Sequence, residues 1–320
     1  TNLMKKYLFI LTLLSVFSNA QIVRKYSNEF LNIGAGARGL AMGGAVISNQ
    51  NDVYAPMWNP AGLTEIDRDW QGAAMHAEYF ESIAKYDYIS FAKALDSNDG
   101  VLGISIVRLG VDNILNTTQM IDSEGNIDYD KISKFSTSDY AGIISYAFHP
   151  AGKEKLSVGV NAKIVYRNVG KFANGFGFGF DLGAIYNADS GYKFGAMLRD
   201  AITTVNFWSI NQKELSAIVN GEEFNPAPKD KMEITMPKLN MGLSKNFELN
   251  RDLELLPEAG VNVDFAKTAA LISTDFASIT PYLGAELSFQ KMIFVRAGVN
   301  KFQNVTDIED LKRKVTFQPS

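Results

Sequence analysis

Three groups of residues in this chain have types and spacing that could do chemistry. Gly34-Ala-Gly36-Ala-Arg38-Gly39 matches the G-x-G-x-x-G pattern, whose glycines let backbone close around a phosphate. That chemistry needs a buried strand before the glycines and a helix after them, in a parallel βαβ unit. Here strand follows strand with no alternating helices, so the run reads instead as a small-residue packing segment. The second group is the two histidines, His76 and His149. Neither sits in H-E-x-x-H spacing or beside a ligand cluster, and no G-x-S-x-G elbow exists, so metal and hydrolytic chemistry are not expected. The third is Asp122-Ser-Glu124-Gly-Asn126-Ile-Asp128-Tyr-Asp130, either a weak Ca²⁺ site or a plain solvated loop; its spacing is not that of an EF-hand. The absence of cysteine excludes disulfides and thiolate metal sites. No catalytic, metal-ligating or cofactor-binding residue is expected, and no enzymatic activity.

The elements that would carry these residues are strands. In 155–167, Leu156, Val158, Val160, Ala162, Ile164 and Tyr166 share one face, while Ser157, Gly159, Asn161, Lys163 and Arg167 share the other. In 175–187, Phe176, Phe178, Phe180, Leu182, Ala184 and Tyr186 alternate with Gly175, Gly177, Gly179, Asp181 and Gly183. This is period two, and one face is large and apolar while the other is glycine or polar. Strands of this length exceed the usual globular ~5–6 residues and suit a tilted membrane crossing of roughly 9–11. Further strands are expected at 70–80, 85–95, 100–109, 138–148, 191–200, 236–247, 253–265, 278–289 and 291–300. Aromatics near their ends (Trp70, Tyr79, Phe80, Tyr86, Tyr88, Tyr140, Phe148, Tyr166, Tyr186, Tyr192) suit two interfacial girdles.

Connections alternate short (96–99, 149–154, 189–191) and long (110–137, 201–235), as in an outer-membrane barrel. The longer loop holds Phe207, Trp208 and Ile210, large apolar side chains that would either contact a partner or tuck into the barrel mouth. Residues 211–223 could form a short helix there. The expected fold is all-β: a transmembrane antiparallel β-barrel of about fourteen strands behind an N-terminal small-residue plug.

The first residues read as export. Met4-Lys5-Lys6 is a charged start, Tyr7 to Phe17 is apolar but short for a bilayer span, and Ser18-Asn19-Ala20 is a small-x-small cleavage site. The expected organisation is a signal peptide over 1–20, with 1–3 an upstream remnant, a plug over 21–69, and a barrel over 70–320. Hydrophobic content is 46% and formal net charge is -4. That suits a barrel, where only alternate residues meet lipid, and argues against nucleic acid as a partner. Lys314 to Ser320 reads as a strand in progress, so the last two or three barrel strands are expected to lie beyond this sequence.

The stretch Phe30-Leu-Asn-Ile-Gly34-Ala-Gly36-Ala-Arg38-Gly39, then Met42-Gly43-Gly44-Ala45, Asp52-Val53-Tyr54 and Trp58-Asn59-Pro60-Ala61-Gly62-Leu63, resembles the PorV/PorQ family of outer-membrane proteins within the FadL-like barrel superfamily. The resemblance implies a Gram-negative outer-membrane barrel, with this motif in its lumen. It further implies a part in the type IX secretion of Bacteroidetes: binding exported cargo with C-terminal signal domains through outer loops, beside the large translocon barrel and in contact with membrane lipid. FadL-like relatives instead move hydrophobic small molecules, which is the alternative expectation.

Overall fold

The computed structural model describes residues 27–95, 100–122, 124–219, 222–224, 226, 228, 231–306 and 313–320. The expected signal peptide lies outside them. Eighteen strands follow a helical N-terminal stretch: β1 (Trp70–Tyr79), β2 (Ala84–Ala94), β3 (Val101–Asn116), β4 (Ser133–Phe148), β5 (Leu156–Val169), β6 (Ala173–Asn187), β7 (Tyr192–Arg199), β8 (Thr204–Ile210), β9 (Ala217–Val219), β10 (Glu222–Phe224), β11 (Met232–Thr235), β12 (Lys238–Lys245), β13 (Phe247–Glu248), β14 (Leu253–Asp264), β15 (Ile272–Ser273), β16 (Ser278–Phe289), β17 (Ile293–Thr306) and β18 (Arg313–Pro319). Sixteen of them form one antiparallel sheet, with β8, β11, β13 and β15 attached off the main path. Among the described residues β1 and β18 do not pair with each other.

Two observations make this sheet a membrane barrel. The large side chains of the period-two pattern point outward: Ile104, Ile144, Ile164, Phe178 and Phe180 are each about half exposed, a contiguous apolar surface that water would not tolerate. On β5 that surface runs from Leu156 to Tyr166. Ten residue steps at ~3.4 Å, tilted by roughly 40°, span about 26 Å of height, close to the apolar band of an outer-membrane barrel. Second, the sheet wraps around one small body. The N-terminal stretch touches β2 through Tyr88, whose hydroxyl donates to the Val53 carbonyl at 3.3 Å, and touches β17 through Asn300, whose amide donates to the Gly43 carbonyl at 2.7 Å. No helix is long and apolar enough to cross a membrane among the described residues.

Some expectations change. Tyr86 and Tyr88 are not girdle residues; both are fully buried and face the lumen. Strands β3 and β4 continue to Asn116 and from Ser133, past the edges expected for the 110–137 loop, around an irregularity between Val111 and Ile114. The larger correction falls on 201–235. It is not one polar loop: β8 pairs with β6 (Phe207 opposite Phe176) and with β11, and so extends the barrel wall. The alternation Thr204-Val-Asn206-Phe-Trp208 signals this strand, but its length falls short of the others. The helix expected in 211–223 is one turn, α-helical over Gln212–Leu215.

Candidate functional site

The lumen is occupied by residues 27–69, in short helical turns: a 3₁₀ turn over Glu29–Asn32, α1 (Ala37–Ala41), α2 (Ala55–Trp58) and a 3₁₀ turn over Pro60–Glu65. The small-residue run exists for Trp58. A Cβ added to Gly34, Gly39 or Gly44 would stand 2.4, 2.5 or 3.2 Å from the Trp58 ring, so the three glycines form its cage. The indole N–H donates to the Ala35 carbonyl at 2.7 Å. Gly36 is fitted to the Tyr54 ring in the same way, and Gly62 to the Gln50 carbonyl. Gly34, Gly36, Gly43 and Gly44 all have positive φ, so glycine also supplies the turns. The two halves of the motif are thus one miniature core, and none of its glycines faces a vacant phosphate cradle.

The remaining motif residues seat this plug in the wall. Met42 is fully buried against Gly284 and Gly298. Asn59, fully buried, donates to the Ile47 and Ala184 carbonyls at 2.7 and 3.1 Å and accepts from Ala61 N–H at 3.2 Å, capping the turn that Pro60 opens. Pro60 and Ala61 press on Gly159 of β5. Glycines at the inward positions of β5, β7, β16 and β17 meet plug backbone closely: a Cβ at Gly195 would lie 2.3 Å from the Ile47 oxygen, and one at Gly298 2.1 Å from the Met42 carbonyl carbon; on β6, Gly183 meets the side chains of Asn59 and Pro60. The glycine face of β6 has two causes: Gly183 makes room for the plug, while Gly175, Gly177 and Gly179 make room for Trp208, Asn206 and Thr204 of β8.

Two carboxylates from the wall complete the seat. Glu258 on β14, fully buried, accepts from Ile47 N–H (2.7 Å), Ser48 N–H (3.1 Å), Ser48 Oγ (2.5 Å) and Asn49 Nδ2 (2.7 Å). Four donors offset the cost of removing a carboxylate from water. Glu286 on β16 accepts from Arg38 Nε at 3.0 Å, and Arg38 also donates to the Asn49 carbonyl at 3.0 Å. Arg199 donates to the Leu31 and Met57 carbonyls. Glu65, where the plug hands over to β1, accepts from Lys193 at 2.8 Å and Asn187 at 2.9 Å. Burial would raise its carboxyl, but these hydrogen bonds and the Lys193 charge prevail and hold it below the usual range. Sequence reading missed Glu258, Glu286 and Arg199. Parity carries the signal: Glu258 falls on the face of Gly260 and Asn262, the inward one.

Phe207, Trp208 and Ile210 do not form a common patch. Phe207 points outward, while Trp208 packs on Gly175 under Arg167, whose guanidinium carbon lies 5.2 Å from the ring centroid. His76 hydrogen-bonds Asp87 at 2.6 Å on the exposed face of β1 and β2. Among the described residues no group of acidic and histidine side chains could hold a metal ion.

The plug leaves a half-enclosed cavity of about 440 Å³ on the side of the long loops. Plug side chains Ile33, Leu40, Ile47 and Trp58 make its apolar side; Asn240, Asn262 and Thr280 of the wall make a polar side. The volume is that of a small-molecule site.

No protein-family model matches the chain, and no curated protein matches it by sequence. Solved structures do match by fold. The Pseudomonas putida toluene transporter TodX superposes with TM-score 0.51 at 15% identity, over 89% of this chain and 88% of that chain. The Ralstonia pickettii toluene transporter TbuX gives 0.51 at 14% identity, over 84% and 86%. The chain therefore shares the barrel fold of these structures.

Proposed function

We propose that this protein is an outer-membrane channel of FadL-like build that admits small, largely apolar molecules past its plug. The observation that carries the reading is the cavity between plug and wall, walled on one side by Ile33, Leu40, Ile47 and Trp58, in a fold shared with toluene transporters. The apolar outer belt supports a membrane location, and the charged-then-apolar N-terminal sequence supports export to the outer membrane of a Gram-negative bacterium. The test is toluene uptake into proteoliposomes. Uptake well above that of protein-free vesicles is expected; equal rates would overturn the reading.

A narrower reading, a type IX secretion partner that binds cargo beside the translocon barrel, rests on the resemblance of residues 30–63. Most of those residues lie buried inside the lumen and hold the plug together, so they offer cargo little surface. Phe207, Trp208 and Ile210 are divided between the two faces of a wall strand. Mild-detergent purification from native membranes, with mass spectrometry, separates the readings: a co-purifying giant barrel or exported proteins with a shared C-terminal domain would replace the channel reading.

A further inference from the structure

The polar wall of the lumen cavity has an unusual property. Asn240 on β12 stands directly opposite Asn262 on β14, and Asn262 directly opposite Thr280 on β16. Side chains at such positions are about 5 Å apart, so the three make a continuous rung across three strands. Many other lumen polar side chains are tied to protein: Asn161 donates to Pro56 and Asp181, Asn59 to Ile47 and Ala184, and Asn300 to Gly43, although the Tyr86 hydroxyl and Ser288 Oγ are not. The rung differs in placing three such groups side by side on the cavity. Among the described residues none of its three side chains has a hydrogen-bond partner, although all are partly buried and line the cavity. Two amides and a hydroxyl together offer several donors and acceptors, all unused by the fold. Of the charges beside them, Lys238 lies 3.3 Å from Glu29 and 3.5 Å from Asp264, whereas Arg199 and Lys301 also line the cavity and have no carboxylate partner among the described residues.

We infer that Asn240, Asn262 and Thr280 form a recognition rung, and that the preferred ligand is a small molecule with an apolar body and hydrogen-bonding groups along one edge, such as a hydroxylated or amide-bearing aromatic. The inference rests on the channel reading and deepens it. A pure hydrocarbon entering this cavity would strip water from the rung and return nothing, which costs binding energy for each polar group left unpaired. A ligand that satisfies the rung on one edge and lays its apolar face on Leu40, Ile47 and Trp58 uses both sides of the cavity. Recognition built on hydrogen bonds discriminates strongly against analogues that lack them.

The experiment uses the full chain in proteoliposomes, with 4-hydroxybenzamide and toluene as probes. Binding is read by equilibrium dialysis and entry by uptake. Two variants are compared with the unaltered protein: Asn262→Leu, and the near-isosteric Thr280→Val, which keeps the packing volume. Each is checked for heat-modifiable gel migration. The expected result is that 4-hydroxybenzamide binds at least tenfold more tightly than toluene. Each substitution should weaken it by roughly three- to tenfold, the loss of about one neutral hydrogen bond, while toluene binding holds or improves. If toluene enters but 4-hydroxybenzamide binds no better, or if folded variants bind it unchanged, the recognition rung is wrong and the channel reading stands. If neither probe binds or enters, both fall.

Discussion

Two polar clusters on the wall of the same lumen are treated in opposite ways. On β5, β6 and β7, Lys163 is 5% exposed and lies 2.6 Å from Asp181 and 2.7 Å from Asp200. Asp181 further accepts from Asn161 Nδ2 and from the Asp200 N–H. Every charge there has a partner, and the network lies where β6 changes neighbour, from β7 at Leu182–Asn187 to β8 at Ala173–Phe178. On β12, β14 and β16, the side chains of the Asn240–Asn262–Thr280 rung have no hydrogen-bond partner among the described residues. The difference teaches a rule for reading polar groups inside a barrel. A satisfied network closes a weak point in the wall, whereas an unsatisfied rung beside a cavity is available to a ligand.

The comparison breaks most readily at the paired wall. Lys163→Met leaves Asp181 and Asp200 buried without their cation, and unfolding in urea should show a loss of about 3–5 kcal/mol, the usual cost of half a buried ion pair. A loss near zero would remove the contrast. Next is the seat of the plug. Gly298→Val drives a side chain into the backbone of Met42, and an overpacking cost of roughly 1–3 kcal/mol should appear as faster proteolysis of residues 27–69 while the strands stay protected. Strands and plug lost together would make the plug part of the barrel's cooperative unit.

A smaller effect is expected at Glu65. Its folded pKa is depressed, so its contribution is fully present above the unfolded value near 4.5 and fades as pH falls through the folded value. Protease resistance of the plug should be flat above about pH 4.5 and decline below it, and Glu65→Gln should reduce that decline. The smallest effect sharpens the other side of the contrast. Asn262→Leu should change unfolding stability by less than about 0.5 kcal/mol, because no hydrogen bond to the described residues is lost. A large destabilisation would mean that the rung is structural.

The strand alternation was legible because side chains on a strand must alternate faces, and the large set of β6 (Phe176, Phe178, Phe180, Leu182) belongs either to lipid or to a second sheet, with the strand's length favouring lipid. The plug motif was legible as a packing segment because glycine and alanine cannot build a core alone. What they pack on was not: nothing local couples Gly34, Gly39 and Gly44 to Trp58, and the cage appears only when the chain folds back. Strand β8 was misread as loop because its seven residues rely on pairing with β6 and β11 more than on their own pattern.

The sequence by itself determined the architecture: outward apolar faces, inward glycines and a small-residue segment ahead of the first strand. These follow from local geometry, with period two on the strands and close approach at glycine. Only the tertiary structure decided which polar residues hold the fold and which are free. Glu258, Lys163 and Asn262 are all polar residues at inward positions of apolar strands, and nothing in their immediate neighbours separates them. Glu258 meets the plug backbone, Lys163 meets two aspartates, and Asn262 meets a cavity. Partners more than a dozen residues away in the chain make that difference, because a buried hydrogen bond depends on what the fold brings to the group.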